Sequence, residues 1–153
     1  MNNTSLRSFE SVLEREGLVK GLQFLNKRVL HRFTALYRME GDVMRSVCSL
    51  DKEGGTGPAD LDVVPVIDSF CQFVIREGGF VTASSARDQR LYGKKYVGVV
   101  ASYVGLPLND RNGELWGTFC HLDLVARPIN EMEFEFLQRA TSLLTPYLDD
   151  YSR

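Results

Sequence analysis

The apolar positions run first at helical spacing and then at alternating spacing. Phe9, Val12 and Leu13 open a helical stripe, and Leu18, Leu22, Leu25 and Val29 continue it beyond Gly17, so two helical pieces with a bend at Gly17 are expected. Their charged residues leave one apolar stripe, which could cover a sheet or meet the same stripe on a second subunit. From Arg32 the period shortens. Phe33, Ala35, Tyr37 and Met39 alternate with Thr34, Leu36 and Arg38, and Glu40-Gly41 turns the chain into a second strand on which Met44, Ser46 and Cys48 share a face. Pro65 halts an extended run. Asp68 or Ser69 can cap a helix whose buried face is Phe70, Phe73 and Val74, with Gly78-Gly79 as its end. Phe80 to Ser84 reads as a short strand, and Ser85 to Ala101 as a loop of the length that carries binding residues. Met132, Phe136, Leu137, Ala140, Leu143 and Leu144 mark a last helix, entered with Glu131, Glu133 and Glu135 and ended near Pro146.

The strongest pattern is Ser102 to Asp123, two strands of valine, leucine, threonine and aromatics joined by Asn109, Asp110, Asn112 and Gly113. Pairing across a turn at Asp110 to Gly113 sets Leu108 opposite Leu115 and Tyr103 opposite Cys120. Tyr103, Gly105, Trp116, Thr118 and Cys120 then share one face, and Val104, Leu106, Phe119 and His121 the other. The first face mixes a phenol and a hydroxyl with apolar walls, the blend that small-ligand sites use. Backbone N–H groups at the start of the helix near Asp68 are a natural place to hold polar ligand atoms, with self-capping by Asp68 as the plain alternative. Together these expectations assemble a ligand site from Asp68, Ser69, Phe70, Ser84, Tyr103, Gly105, Thr118 and Cys120.

Composition narrows the function. The 153 residues, 44% hydrophobic and 25% charged, suit a single domain, with residues 1–17 as a helical extension and 18–150 as its core. A net charge of -2 and the lack of a basic tract speak against a nucleic-acid surface. No apolar stretch approaches the roughly 18 residues of a membrane span and the start of the chain is unlike a leader, so a cytoplasmic protein away from membranes is expected. Cys48, Cys71 and Cys120 lack the spacing of metal or redox motifs and read as buried reduced thiols, and with His31 and His121 far apart in sequence no zinc site is expected. The glycine-rich KEGGTGPADLD at Lys52 to Asp62 lacks the Lys-Ser/Thr of a phosphate loop, and no nucleophile–base pair or paired carboxylate emerges.

HRFTALYRMEGDVMRSVC at His31 to Cys48, DSFCQFVIREGGFV at Asp68 to Val81, ARDQRL at Ala86 to Leu91 and SYVGLPLNDRNGELWGTFCHLDLVARPI at Ser102 to Ile129 resemble, in that order, consecutive blocks of bacterial GAF domains. The resemblance implies an α+β fold: a central antiparallel β-sheet with the N- and C-terminal helices on one face and a ligand pocket on the other. It also implies a sensor that binds a small-molecule effector. The cofactor or ligand is left unknown, and the output lies in a separate protein such as a kinase, cyclase or transcription regulator, with homodimerisation through the helices. Alternatives are an enzyme similar to the free methionine-(R)-sulfoxide reductases, whose pocket-covering loop carries cysteines that Ser85 to Ala101 lacks, and a ligand-free dimerisation module. Cyclic-nucleotide-binding members carry an NKxxE-type motif that is not found here, and Cys120-His121 stands on a strand, away from the place where bilin-binding members attach a chromophore. The small nitrate-receptor GAF proteins are similar in length, but Asp68 would compete with an anion, which favours a neutral or hydrogen-bond-donating ligand.

Overall fold

The fold is that of a computed structural model describing residues 3–151. Six strands form one antiparallel sheet in the order β3-β2-β1-β6-β5-β4: β1 (Phe33–Glu40), β2 (Val43–Asp51), β3 (Val63–Pro65), β4 (Phe80–Thr82), β5 (Ser102–Asn109) and β6 (Leu115–Asp123). The two long hairpins meet at the centre, where β1 pairs with β6, and the short strands β3 and β4 sit at the edges.

Helices α1 (Asn3–Glu16), α2 (Leu18–Asn26) and α4 (Glu131–Ser142) cover one face. Gly17 separates α1 from α2 with φ 92°, a conformation glycine adopts without the Cβ penalty. A Cβ at Gly21 would collide with Leu13, so this second glycine lets α1 and α2 touch. Phe9 and Leu13 of α1, Leu22 and Leu25 of α2, and Phe136 and Leu137 of α4 pack on Leu36, Val104, Leu106 and Phe119, all buried. The apolar stripe of α1 is thus buried within its own chain. Asn130 caps α4 by accepting from the Glu133 N–H at 2.8 Å. Glu133 in turn forms a two-pronged ion pair with Arg28 at 2.9 and 3.0 Å, and the same guanidinium lies 3.7 Å from the centre of the Phe136 ring. Met132, expected on the buried stripe of this helix, is instead 62% exposed.

Two β-bulges correct the simple alternation. In β1–β2, Leu36 pairs with Cys48 but Tyr37 with Ser46, leaving Val47 as the extra residue. Met44 therefore faces away from the helices while Cys48 packs among them, and the three-residue face expected for β2 is broken. In β5–β6, Leu108 pairs with Gly117 but Asn109 with Leu115, which makes Trp116 the extra residue. The turn also holds one residue more than expected, closed by Asp110, whose N–H donates to the Glu114 carbonyl at 2.8 Å and whose carboxylate accepts from the Asn112 and Glu114 N–H groups. The two offsets add: Tyr103 pairs with Leu122 and Gly105 with Cys120, two places from the expected register. Because the side-chain period is two, Tyr103, Gly105, Thr118 and Cys120 still share a face, but Trp116 turns to the helices.

The opposite face of the sheet is covered by α3 (Cys71–Glu77) and by the segments 52–69 and 83–101. No helix among the described residues is long and apolar enough to cross a membrane.

Candidate functional site

The approach to α3 departs from the expected cap. Pro65 starts a 3₁₀ turn over Val66–Asp68, which consumes the residues that would have capped a helix, and the Ser69 N–H and hydroxyl both bond back to the Val66 carbonyl. The helix begins at Cys71 with Phe70 as its N-cap residue and no side-chain cap. Asp68 instead points outward, with a carboxylate oxygen 4.0 Å from Lys95 Nζ. The self-capping by Asp68 that was the plain alternative is therefore not formed at this helix start. The C-terminal end follows expectation, with Gly78 left-handed at φ 80°.

Phe70, Phe73 and Val74 press α3 on the sheet beside Tyr103 and Phe80. The approach is close because Gly105 has no side chain. A Cβ there would lie 2.5 Å from Val74 Cγ2 and 2.6 Å from the Tyr103 ring. The Tyr103 ring meets Phe70 edge-on, with centroids 5.6 Å apart.

Between this helix, the sheet and the two covering segments lies a cavity of about 40 Å³. Tyr37 and Met44 come from the first hairpin, Tyr103 and Leu122 from the second, Phe70 and Cys71 from α3, and Leu61, Tyr96 and Val100 from the cover. Of the expected site residues, Ser69, Phe70 and Tyr103 line it. Thr118 and Cys120 lie buried in the layer beneath, where the Thr118 hydroxyl is 3.2 Å from Cys71 Sγ, while Gly105 acts as the spacer under α3. Ser84 does not reach the cavity. It precedes a 3₁₀ turn over Ser85–Arg87, and β4 ends at Thr82, two residues short of the expected strand.

Sequence reasoning missed several wall residues. Tyr37 and Met44 fall on strand positions of the right parity, a signal that was present. Leu61 was a lone apolar residue in a glycine-rich loop, and Tyr96 and Val100 belonged to a polar segment without periodicity. Leu61 is held by a short 3₁₀ turn, and its carbonyl accepts the Tyr37 hydroxyl at 2.6 Å.

The wall contains no acidic, basic or histidine side chain. Burial raises the Tyr37 and Tyr103 hydroxyls and the Cys71 and Cys120 thiols above their usual ranges, so all four are protonated at neutral pH. The Cys71 sulfur lies 3.3 Å from the Tyr103 hydroxyl. All three cysteines are free thiols, with Cys48 half-buried on the helix side. Among the described residues no group of three or more His, Cys, Asp or Glu could hold a metal ion. His31 and His121, far apart in sequence, do stack in the helix-side core, with ring centroids 5.9 Å apart.

The sequence matches no family model and no curated protein. The fold is matched by solved structures. A GAF domain from an Acinetobacter phosphoenolpyruvate-protein phosphotransferase aligns with a TM-score of 0.73 at 14% identity over 98% of this chain and 96% of its own. The chain has the GAF fold. A free methionine-R-sulfoxide reductase from Neisseria meningitidis, solved in complex with its substrate, aligns equally well, with a TM-score of 0.73 at 15% identity over 96% of this chain and 87% of its own. The chromophore-binding domain of a bacteriophytochrome from R. palustris follows at 0.69 and 12% over 95% and 59%. One GAF architecture thus serves proteins of different chemistry, and the character of the cavity has to distinguish them.

Proposed function

We propose that this GAF fold is a regulatory module that binds a small cytoplasmic effector and reports to a separate output protein, a kinase, cyclase or transcription regulator, as a homodimer joined through its helices. The observation that carries the reading is the cavity between the sheet and α3, built of apolar and aromatic side chains with a few hydroxyls and without a carboxylate, basic or imidazole side chain. Metabolite sites typically offer about 300–1,000 Å³, so a larger effector would have to displace the covering segments and thereby mark the bound state on the surface. A thermal-shift screen of the purified chain against a metabolite library tests this. A true effector at about 100 times its Kd adds about 2.7 kcal/mol, and no stabilisation by any compound would favour a closed interaction module instead.

A second reading is favoured by Cys71 in the cavity wall and by the likeness to methionine-R-sulfoxide reductases. It predicts thiol-dependent reduction of free methionine sulfoxide that Cys71→Ser or Cys120→Ser abolishes. Both thiols are buried and protonated, which disfavours attack by either one, since the thiolate is the nucleophile.

A further inference from the structure

Resting on the sensor reading above, we infer that the cavity selects an uncharged, predominantly apolar molecule of a few heavy atoms carrying at most one hydrogen-bonding group. The charge restriction follows from the walls. The lining holds no carboxylate, ammonium, guanidinium or imidazole, and an ion moved into such surroundings without a partner loses far more hydration energy than dispersion contacts return. The nearby charges of Asp68 and Lys95 are partly exposed and lie 4.0 Å from each other, so they are engaged outside the wall.

The polar restriction follows from the hydrogen bonds. Tyr37 donates to the Leu61 carbonyl, Ser69 donates to the Val66 carbonyl, and the Tyr103 hydroxyl is matched with Cys71. Tyr96 is the remaining wall hydroxyl, and no hydrogen bond joins it to the described residues. A ligand with several polar groups would leave most of them unpaired against this wall. A single hydroxyl or carbonyl can be met by Tyr96. The size restriction is the volume itself. About 40 Å³ equals roughly three water-sized spaces, and a largely apolar lining favours apolar guests. Met44, whose side chain is unbranched and adaptable, gives the wall some tolerance of shape.

The test is a methyl NMR titration of the full chain with xenon, n-propanol, acetate and nitrate, the last three matched in heavy-atom count and differing in charge. Xenon and n-propanol should shift the Met44, Leu61, Val64 and Val100 methyl signals saturably, and acetate and nitrate should not. Val100→Phe should weaken both uncharged probes by at least roughly tenfold with the other signals in place, and Leu61→Phe serves if that variant does not fold. Tyr96→Phe should weaken n-propanol severalfold and leave xenon unchanged. Saturable acetate or nitrate binding with n-propanol silent overturns the inference and leaves the sensor reading standing. So does a metabolite that stabilises the protein in the thermal screen while xenon and n-propanol leave these methyls unmoved. If no probe and no metabolite binds, both fall.

Discussion

The two faces of the sheet are built from similar residues and reach different ends. On the helix side, three amphipathic helices supply leucine and phenylalanine side chains that pack on Leu36, Leu106 and Phe119, all of them buried. On the other side one short helix and two irregular segments do the covering, with Leu61, Leu91 and Val100 among their buried anchors, and a void is left in the middle. A helix presents a continuous stripe every turn, whereas a loop presents an apolar residue only where one happens to fall. The lesson is that the cavity arises from the kind of cover and not from any special residue in the sheet.

Truncation separates the two faces most strongly. Phe119→Ala removes a fully buried ring from the helix-side core and should cost about 4 kcal/mol. Leu122→Ala on the same strand borders the existing void, loses fewer contacts and should cost about 2 kcal/mol. Urea denaturation of the two variants against the parent chain measures both. Equal costs would mean that the cavity side is as tightly packed as the helix side.

Gly105→Ala attacks the cavity side where its packing is tightest. The new methyl group would meet Val74 and the Tyr103 ring, so either α3 lifts from β5 or the tyrosine leaves its place over the glycine. Overpacking of this kind costs about 2–3 kcal/mol. It should also perturb the Phe70 and Tyr103 ring signals in an NMR spectrum while those of Phe9 and Phe136 on the other face stay fixed. A change spread evenly over both faces would sink the idea that Gly105 serves the α3 contact.

How much of this was legible in the residues depends on whether a period was there to read. Phe33, Ala35 and Tyr37 alternate, so one face of β1 was plain, and Leu22, Leu25, Phe136 and Leu137 announced their helices. Trp116 and Cys48 were misplaced because a bulge inserts one residue without a sequence mark as clear as glycine in a turn. Asp68 looked like a helix cap because its side chain is a good one; the competing turn set by Pro65 decided otherwise. The site was half readable for the same reason. Tyr103 sits on a strand and Phe70 directly before α3, while Tyr96, Val100 and Leu61 are delivered by loops whose course only tertiary packing determines.

A pH scan draws the finest line between the faces. On the helix side Asn26 donates to the Thr34 hydroxyl at 2.8 Å and to the His31 carbonyl at 3.1 Å, and Thr34 lies 2.7 Å from His121 Nδ1. The His121 Nε2 and both ring nitrogens of His31 have no hydrogen-bond partner among the described residues. Burial lowers His31 from 6.5 to about 4, with Asp123 pulling the other way and Arg127 and Lys52 adding to the fall, and burial next to His31 and Lys52 also lowers His121. A base whose pKa is lower in the folded state makes unfolding take up protons, so the stability present above pH 6.5 is lost as pH falls toward 4. Between pH 6.5 and 5 the carboxyls of Asp51, Asp88 and Asp123 stay ionised. That of Asp51 is lowered chiefly by Arg32 and that of Asp88 to about 2 chiefly by Arg90; for Asp123, burial is outweighed by Arg127 and three backbone N–H groups. In that window His31 alone should remove about 2 kcal/mol, and His31→Phe should flatten the dependence. The cavity wall has no carboxylate, ammonium, guanidinium or imidazole, so as the pH is taken on toward 4 its methyl signals should hold still while those around His31 respond. Movement at Leu61 or Val100 over the same range would show that the two sides of the sheet are coupled.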